Sequence, residues 1–260
     1  METIFETDLG KLYCDDCLKI LLDMPPESVD LVITSPPYDS LRDYQGYNFN
    51  FEGIVNELFR VIKVGGVIVW VIGDASVQMS ETGTSFYQAL FFKRVGFKLY
   101  DTMIYKKKTK PLTHRRYEQE FEYMFVFSKE KPKTFNVIKV DCVNAGVIQI
   151  HTQRKEDGVL EPWVCQTQKT KIKGNIWEYN VGATFSKDKI AFEHPAVFPE
   201  KLAEDHLLTW SNPGDLILDP LMGSGTVPKM AEKHNRHYTG VDISKEYCEI
   251  AIQRIIPEMH

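Results

Sequence analysis

Two short stretches of the chain hold the residue types from which a reaction site is built. Thr34-Ser35-Pro36-Pro37-Tyr38 follows the apolar run Val29 to Ile33, which reads as a short buried strand. Proline fixes the backbone and has no N–H, so carbonyls beside the two prolines stay open as acceptors instead of entering a ladder. Ser35 Oγ and the adjoining carbonyls can together accept hydrogen bonds from an amino group, and Tyr38 offers a flat face to a base. Ser35, Pro36, Pro37 and Tyr38 are therefore the candidate catalytic residues. A rigid loop with a packed tyrosine would look the same if Pro-Pro stood alone. Its place after a strand matters, because open α/β sheets bind ligands beyond the carboxyl ends of their strands.

The second stretch starts at Leu216-Ile217-Leu218-Asp219, another short apolar strand. Pro220-Leu221-Met222-Gly223-Ser224-Gly225-Thr226 then turns it into a helix. Glycines let backbone approach a ligand closely, and a helix N-terminus adds exposed amides and positive potential. The next strand ends in Asp242, 17 residues beyond Gly225, where an acid can accept both hydrogen bonds of a ribose diol. An adenosine-containing cofactor is implied. Pro228 stands where a dinucleotide fingerprint has its third glycine, and no Lys follows the glycines as in a phosphate-binding P-loop. A nicotinamide-linked dehydrogenase is disfavoured accordingly.

These two turns need a sheet to bring them together. Helical spacing is expected around Cys17 to Leu22, over Phe51 to Val64 with Gly65-Gly66 as its stop, from Ser85 to Val95, Pro199 to Leu208, Val227 to His234, and Lys245 to Ile255. Strands are expected at Val67 to Ile72, Lys98 to Tyr105, Glu122 to Ser128, Asp215 to Leu218 and His237 to Val241. Asp74, after one of these strands, reads as a turn or cap residue. Alternation of strand and helix fades between Lys106 and the region near Ala191. The expected organisation is a doubly wound α/β domain made of residues 1–105 and 191–260, interrupted by an insert over 106–190.

Charge sets that insert apart. Residues 91–190 hold 20 Lys and Arg against 11 Asp and Glu, while the rest of the chain holds 11 against 25, so a net charge of −5 conceals a basic island. Lys106, Lys107, Lys108, Arg115 and Arg116 are its densest part, with Tyr117, Trp163 and Trp177 interleaved further along. Basic clusters with aromatics suit a polyanion bearing stackable bases, although a solvated lysine-rich surface has the same composition. Arg42 is a further candidate for a phosphate contact, or for a surface ion pair.

With 260 residues, 43% of them hydrophobic, the chain is long enough for a sizeable core. No apolar run approaches the roughly 18 residues of a spanning helix, and the N-terminus lacks a signal-peptide pattern, so a cytoplasmic protein without a membrane partner is expected. Five scattered cysteines do not form a disulfide framework. Cys14 and Cys17 are spaced as C-x-x-C, but no second pair exists, so they read as helix-start residues and no metal is expected.

In its order of motifs the chain resembles the β group of amino-methylating DNA methyltransferases, with Ser35 to Tyr38 first, the basic insert next and Asp219 to Thr226 last. The resemblance covers residues 12–105 and 192–255. It implies a three-layer, Rossmann-like, S-adenosylmethionine-dependent methyltransferase fold with circularly permuted motif order and a target-recognition insert. It implies cofactor binding by Asp219, Pro220, Met222, Gly223, Ser224, Gly225, Thr226 and Asp242. His194 and Phe198, in the segment before the first cofactor helix, would lie by the methionine carboxylate, and Asp16 and Cys17 by the adenine. The implied substrate is double-stranded DNA, with a flipped cytosine methylated at N4; adenine N6 is the alternative, and a catalytically inactive DNA-binding protein of the same fold is a third. A cognate restriction endonuclease is the further partner, and a monomer or homodimer the expected assembly. Residues 106–190 match no part of the family pattern.

Overall fold

The fold was analysed in a computed structural model that describes residues 2–37, 49–107, 117, 119–180, 190 and 199–259. Two compact units are present, one formed by Met1–Asn136 with Asn175–His260, the other by Val137–Gly174.

The larger unit is built on a sheet of nine described strands: β1 (Thr3–Glu6), β2 (Gly10–Cys14), β3 (Val29–Thr34), β4 (Ile62–Ile72), β7 (Lys98–Lys107), β8 (Phe121–Ser128), β13 (Ile176–Tyr179), β14 (Leu216–Asp219) and β15 (His237–Asp242), the intervening numbers belonging to short two-stranded ribbons. Their order is β1-β2-β15-β14-β3-β4-β8-β7-β13. The run from β2 to β4 is parallel, whereas β8 is antiparallel to both β4 and β7. Near-continuous apolar sequence in β3 and β4 follows from this, since a central parallel strand is covered on both faces.

Six α-helices are found among the described residues of the unit: α1 (Cys17–Asp23), α2 (Phe51–Val61), α3 (Thr84–Val95), α4 (Glu200–Trp210), α5 (Thr226–Lys233) and α6 (Lys245–Ile255). One apolar core joins Ile20, Ile54, Leu58 and Phe92 of the first three helices to Val32, Ile68, Trp70, Phe127 and Leu218 of the sheet. Strand residues of the other parity, such as Leu31, Ile33, Val69 and Ile217, are also buried but lie outside that core. On their side α4 packs against β3, and α5 against β14 and β15. The result is the expected three-layer arrangement.

Two boundaries differ from the sequence reading. The helix expected to reach Val64 ends at Val61, and β4 begins at Ile62, so Gly65-Gly66 lies inside a strand rather than stopping a helix. Gly65 adopts φ +82°, and a Cβ there would come within 2.9 Å of Lys133 Cβ, so the glycine serves a close backbone approach. The second difference is the insert. Expected over 106–190 around the core strand at Phe121 to Ser128, the separate compact unit spans only Val137–Gly174, because Ile176–Tyr179 also pairs into the large sheet, beside β7.

The smaller unit contains two antiparallel ribbons. β10 (Ile148–Arg154) pairs with β11 (Leu160–Gln166), and β9 (Lys139–Asp141) with β12 (Thr170–Ile172). A third ribbon, β5 (Ser76–Val77) with β6 (Ser80–Glu81), belongs to the larger unit.

Candidate active site

The strand order places β3 next to β14, where the sheet's connections run outward in opposite directions. This is a topological switch point, and the crevice beyond it is where such sheets take ligands. Ser35-Pro36-Pro37 leaves β3 and Pro220 to Thr226 leaves β14, so both candidate turns emerge side by side at one sheet edge.

A buried hydrogen bond joins them. Thr34 Oγ1 donates to Asp219 Oδ1 at 2.8 Å, and Leu221 N–H donates to the same oxygen at 3.2 Å. Burial pushes the Asp219 carboxyl up to about 7, against those two bonds and with help from the nearby Asp242 charge. Asp219 thus links the two turns through its side chain. Pro36 is buried here, with Ser35 and Pro37 partly so. Tyr38 and Arg42 lie outside the described residues.

The Gly-rich turn is held from three sides. Met222 N–H donates to Val241 O, Gly223 N–H to Asp242 Oδ2 at 2.9 Å, and Gly225 N–H to Met222 O. Gly223 and Gly225 both have positive φ, 49° and 73°. At Gly225 a Cβ would meet Ala251 Cβ of α6 at 2.5 Å, so this glycine is required by helix packing. The side chains of Ser224 and Thr226 accept hydrogen bonds from Arg254, also on α6. Pro220, Met222, Gly223, Ser224 and Thr226 are all buried.

Asp242 ends β15 and stays half-buried. Its Oδ1 accepts from Ser244 N–H at 2.8 Å and its Oδ2 from Gly223 N–H. Burial raises its carboxyl above the usual range despite those bonds. On the adjacent strand, Asp242 pairs with Cys14, and Asp15 N–H donates to Asp242 O at 3.1 Å. Asp16 follows at once and caps α1, accepting from Leu18 N–H. Sequence reasoning named Asp16, but the strand that brings it beside Asp242 had no clear signature. Cys17 begins α1 with its side chain in the core.

Lys106 and Lys107 end β7. Lys106 pairs with Phe121 across β7 and β8, and Tyr123 of β8 pairs with Ile72 at the end of β4, which puts both lysines at the same sheet edge as Ser35. Lys106 forms an ion pair with Glu178 at 3.5 Å, and Lys107 one with Glu122. Lys108, Arg115, Arg116, His194 and Phe198 lie outside the described residues.

Two residues near the site were given other roles or none. Asp74 accepts from Ser85 N–H at 2.9 Å and Ser85 Oγ at 2.5 Å, which secures the start of α3. Arg254 carried no motif signal at all. Among the described residues no group of His, Cys, Asp and Glu could hold a metal ion, and no helix is long and apolar enough to cross a membrane.

Comparison with known proteins gives one consistent picture. Residues 29–253 match the N6/N4 DNA methylase family. The chain is 53% identical over 235 residues to the orphan methyltransferase M.BamHII of Bacillus amyloliquefaciens, covering 88% of this chain and 89% of that protein. It is 27% identical to the type II methyltransferase M.BglII of Bacillus subtilis, over 94% of this chain and 68% of the relative. Among solved structures, the fold is similar to PvuII DNA methyltransferase (cytosine-N4-specific), with TM-score 0.73 and 21% identity over 97% of this chain and 88% of the other. It is also similar to TTHA0409 of Thermus thermophilus complexed with S-adenosyl-L-methionine, with TM-score 0.64 and 24% identity over 95% of each chain.

Proposed function

The chain belongs to the N6/N4 DNA methylase family, and on that premise we propose that this S-adenosylmethionine-dependent DNA amino-methyltransferase acts on N4 of cytosine in double-stranded DNA. The observation that carries the site assignment is the Thr34–Asp219 bond, which holds the acceptor turn and the Gly-rich turn together at the switch point.

The residues present suit the cofactor. Asp242 accepts from the Gly223 and Ser244 N–H groups, and a carboxylate has about four acceptor sites, so capacity remains for a ribose hydroxyl. Asp16, at the neighbouring strand exit, is assigned to the adenine side. The start of α4, preceded by His194 and Phe198, is assigned to the methionine carboxylate. When bound, S-adenosylmethionine supplies a sulfonium methyl group open to a nitrogen lone pair.

The chain's own part is positioning. A base cannot be reached within the duplex, so it is flipped out, and stacking on Tyr38 offsets part of the unstacking cost. An exocyclic amino nitrogen is a weak nucleophile because its lone pair is delocalised into the ring. Ser35 Oγ and the Pro36 carbonyl accept the amino hydrogens, favour a pyramidal nitrogen and aim its lone pair along the transfer line. The proton leaves after transfer, so no strong base is required.

Cytosine is favoured by Ser35 itself, since Ser before Pro-Pro-Tyr resembles the N4 enzymes and Asp or Asn the N6 enzymes. PvuII methyltransferase, similar in fold, is described as cytosine-N4-specific. The basic residues at the same edge, Lys106 and Lys107, are assigned to the DNA backbone, and the part of the 106–190 insert that forms the separate unit, Val137–Gly174, to target recognition. A restriction endonuclease reading the same sequence is the further proposed partner. Digestion of DNA methylated in vitro to nucleosides, followed by mass spectrometry, should yield N4-methylcytosine. N6-methyladenine alone would overturn the base assignment and leave the methyltransferase standing.

A further inference from the structure

Arg254 lies on α6 with its side chain wholly enclosed. Its Nη1 donates to Ser224 O at 2.6 Å, Ser224 Oγ at 2.9 Å and Thr226 Oγ1 at 3.0 Å, while Nη2 donates to Glu200 Oε1 at 3.1 Å. Glu200 is the first residue of α4, and the same oxygen accepts from Lys229 Nζ of α5 at 2.8 Å. One guanidinium therefore spans the Gly-rich turn and the start of a different helix.

Ala251, three residues earlier on α6, is the contact that requires Gly225 to be glycine. Residues three apart share a helix face, so one face of α6 grips the turn twice, by van der Waals contact at Gly225 and by hydrogen bonds on either side of it. Ser224 and Thr226 are buried, and removal of the guanidinium would take away a donor that both of their hydroxyl oxygens use. Lys229 also lies within 3.8 Å of Glu258.

We propose that Arg254 is a positioning residue for S-adenosylmethionine, fixing the Ser224–Thr226 backbone against the start of α4 so that both sides of the cofactor site are held in register. This rests on the reading of the turn as the cofactor cradle. A lysine in its place reaches Ser224 or Glu200 but cannot present the planar fork that joins them.

The test measures S-adenosylmethionine binding by calorimetry and steady-state kinetics for R254K, E200Q and, as a separate probe of the cradle, D242A. For R254K the dissociation constant and KM for cofactor should rise about tenfold or more, with kcat at saturating cofactor and DNA affinity kept within about twofold. E200Q keeps an acceptor for Arg254 and should show a smaller rise of the same kind. If R254K does not fold, E200Q alone decides. Unchanged cofactor affinity in R254K and E200Q, with D242A impaired, would overturn the role of Arg254. Equal loss of cofactor and DNA affinity would also overturn it, reducing Arg254 to a core residue. Unchanged affinity in all three variants would overturn the cradle itself.

Discussion

Thr34 Oγ1 donates to Asp219 Oδ1 across the seam between β3 and β14, and this bond ties the Ser-Pro-Pro turn to the Gly-rich turn. Thr34 is the last residue of its strand and Asp219 the last of its own, so neither can shift without moving the turn that follows. Methyl transfer needs an acceptor nitrogen and a methyl donor in line, and a misplacement of about 1 Å can cost as much as a hundredfold in rate. With the two turns assigned as proposed, this buried bond between them sets that alignment.

Replacing Thr34 by valine keeps the volume and removes the donor. The expected result for T34V is a fall in kcat of roughly tenfold or more, with the cofactor dissociation constant little changed, because each turn keeps its own internal bonds. Single-turnover methylation at saturating cofactor checks this. An unaltered rate would show that the bond is a fold contact only.

The same aspartate gives a pH prediction. Burial pushes Asp219 up to about 7, so between about 4 and about 7 the folded protein holds a proton that the unfolded chain has released. The folded state binds more protons in that window, and stability therefore falls as pH rises through it. D219N retains an acceptor for Thr34 and Leu221 and has nothing to ionise. Its denaturation midpoint should fall less between pH 5 and pH 8 than that of the wild type, and equal slopes would assign the dependence elsewhere, Asp242 being the next raised carboxyl.

Much of this arrangement was legible in the chain, for identifiable reasons. Val29 to Ile33 and Leu216 to Asp219 are apolar runs bounded by turn residues, so the strands carrying both turns followed from local pattern, and Lys245 to Ile255 followed from its helical spacing. β1 and β2 did not, since they are short, half exposed and joined without a strong turn signature, although β2 is what brings Asp16 beside Asp242. Gly65-Gly66 resembled a helix stop because glycine so often ends an amphipathic helix. Only the tertiary approach of Lys133 explains Gly65 inside a strand. Arg254 left no local trace, because its partners Ser224, Thr226 and Glu200 lie between 28 and 54 residues away along the chain.

Tyr38 should affect chemistry and not cofactor binding. Y38A removes a stacking face worth roughly 1 to 3 kcal/mol for a flipped base, while the Gly-rich turn and Asp242 are untouched. Turnover on duplex DNA is expected to drop by about tenfold to a hundredfold at an unchanged cofactor dissociation constant. Equal activity of the variant and the wild type would remove Tyr38 from the base pocket.

The lysines at the end of β7 should differ in their contribution to DNA binding from an unpaired cation. A lysine that meets a phosphate releases counterions, and each such contact adds about one unit to the slope of log affinity against log salt. In the free protein, however, Lys106 already faces Glu178 and Lys107 faces Glu122. A phosphate must compete with those carboxylates for the lysines. K106Q/K107Q is therefore expected to weaken binding to all sequences alike, through loss of the two positive charges beside Glu178 and Glu122, while lowering the salt slope by less than about two units. Adding E122Q and E178Q to that pair should restore part of the affinity. Filter binding over a salt series measures both quantities, and a full two-unit loss of slope with no rescue by the glutamine pair would show that both lysines leave their carboxylates for the phosphate backbone.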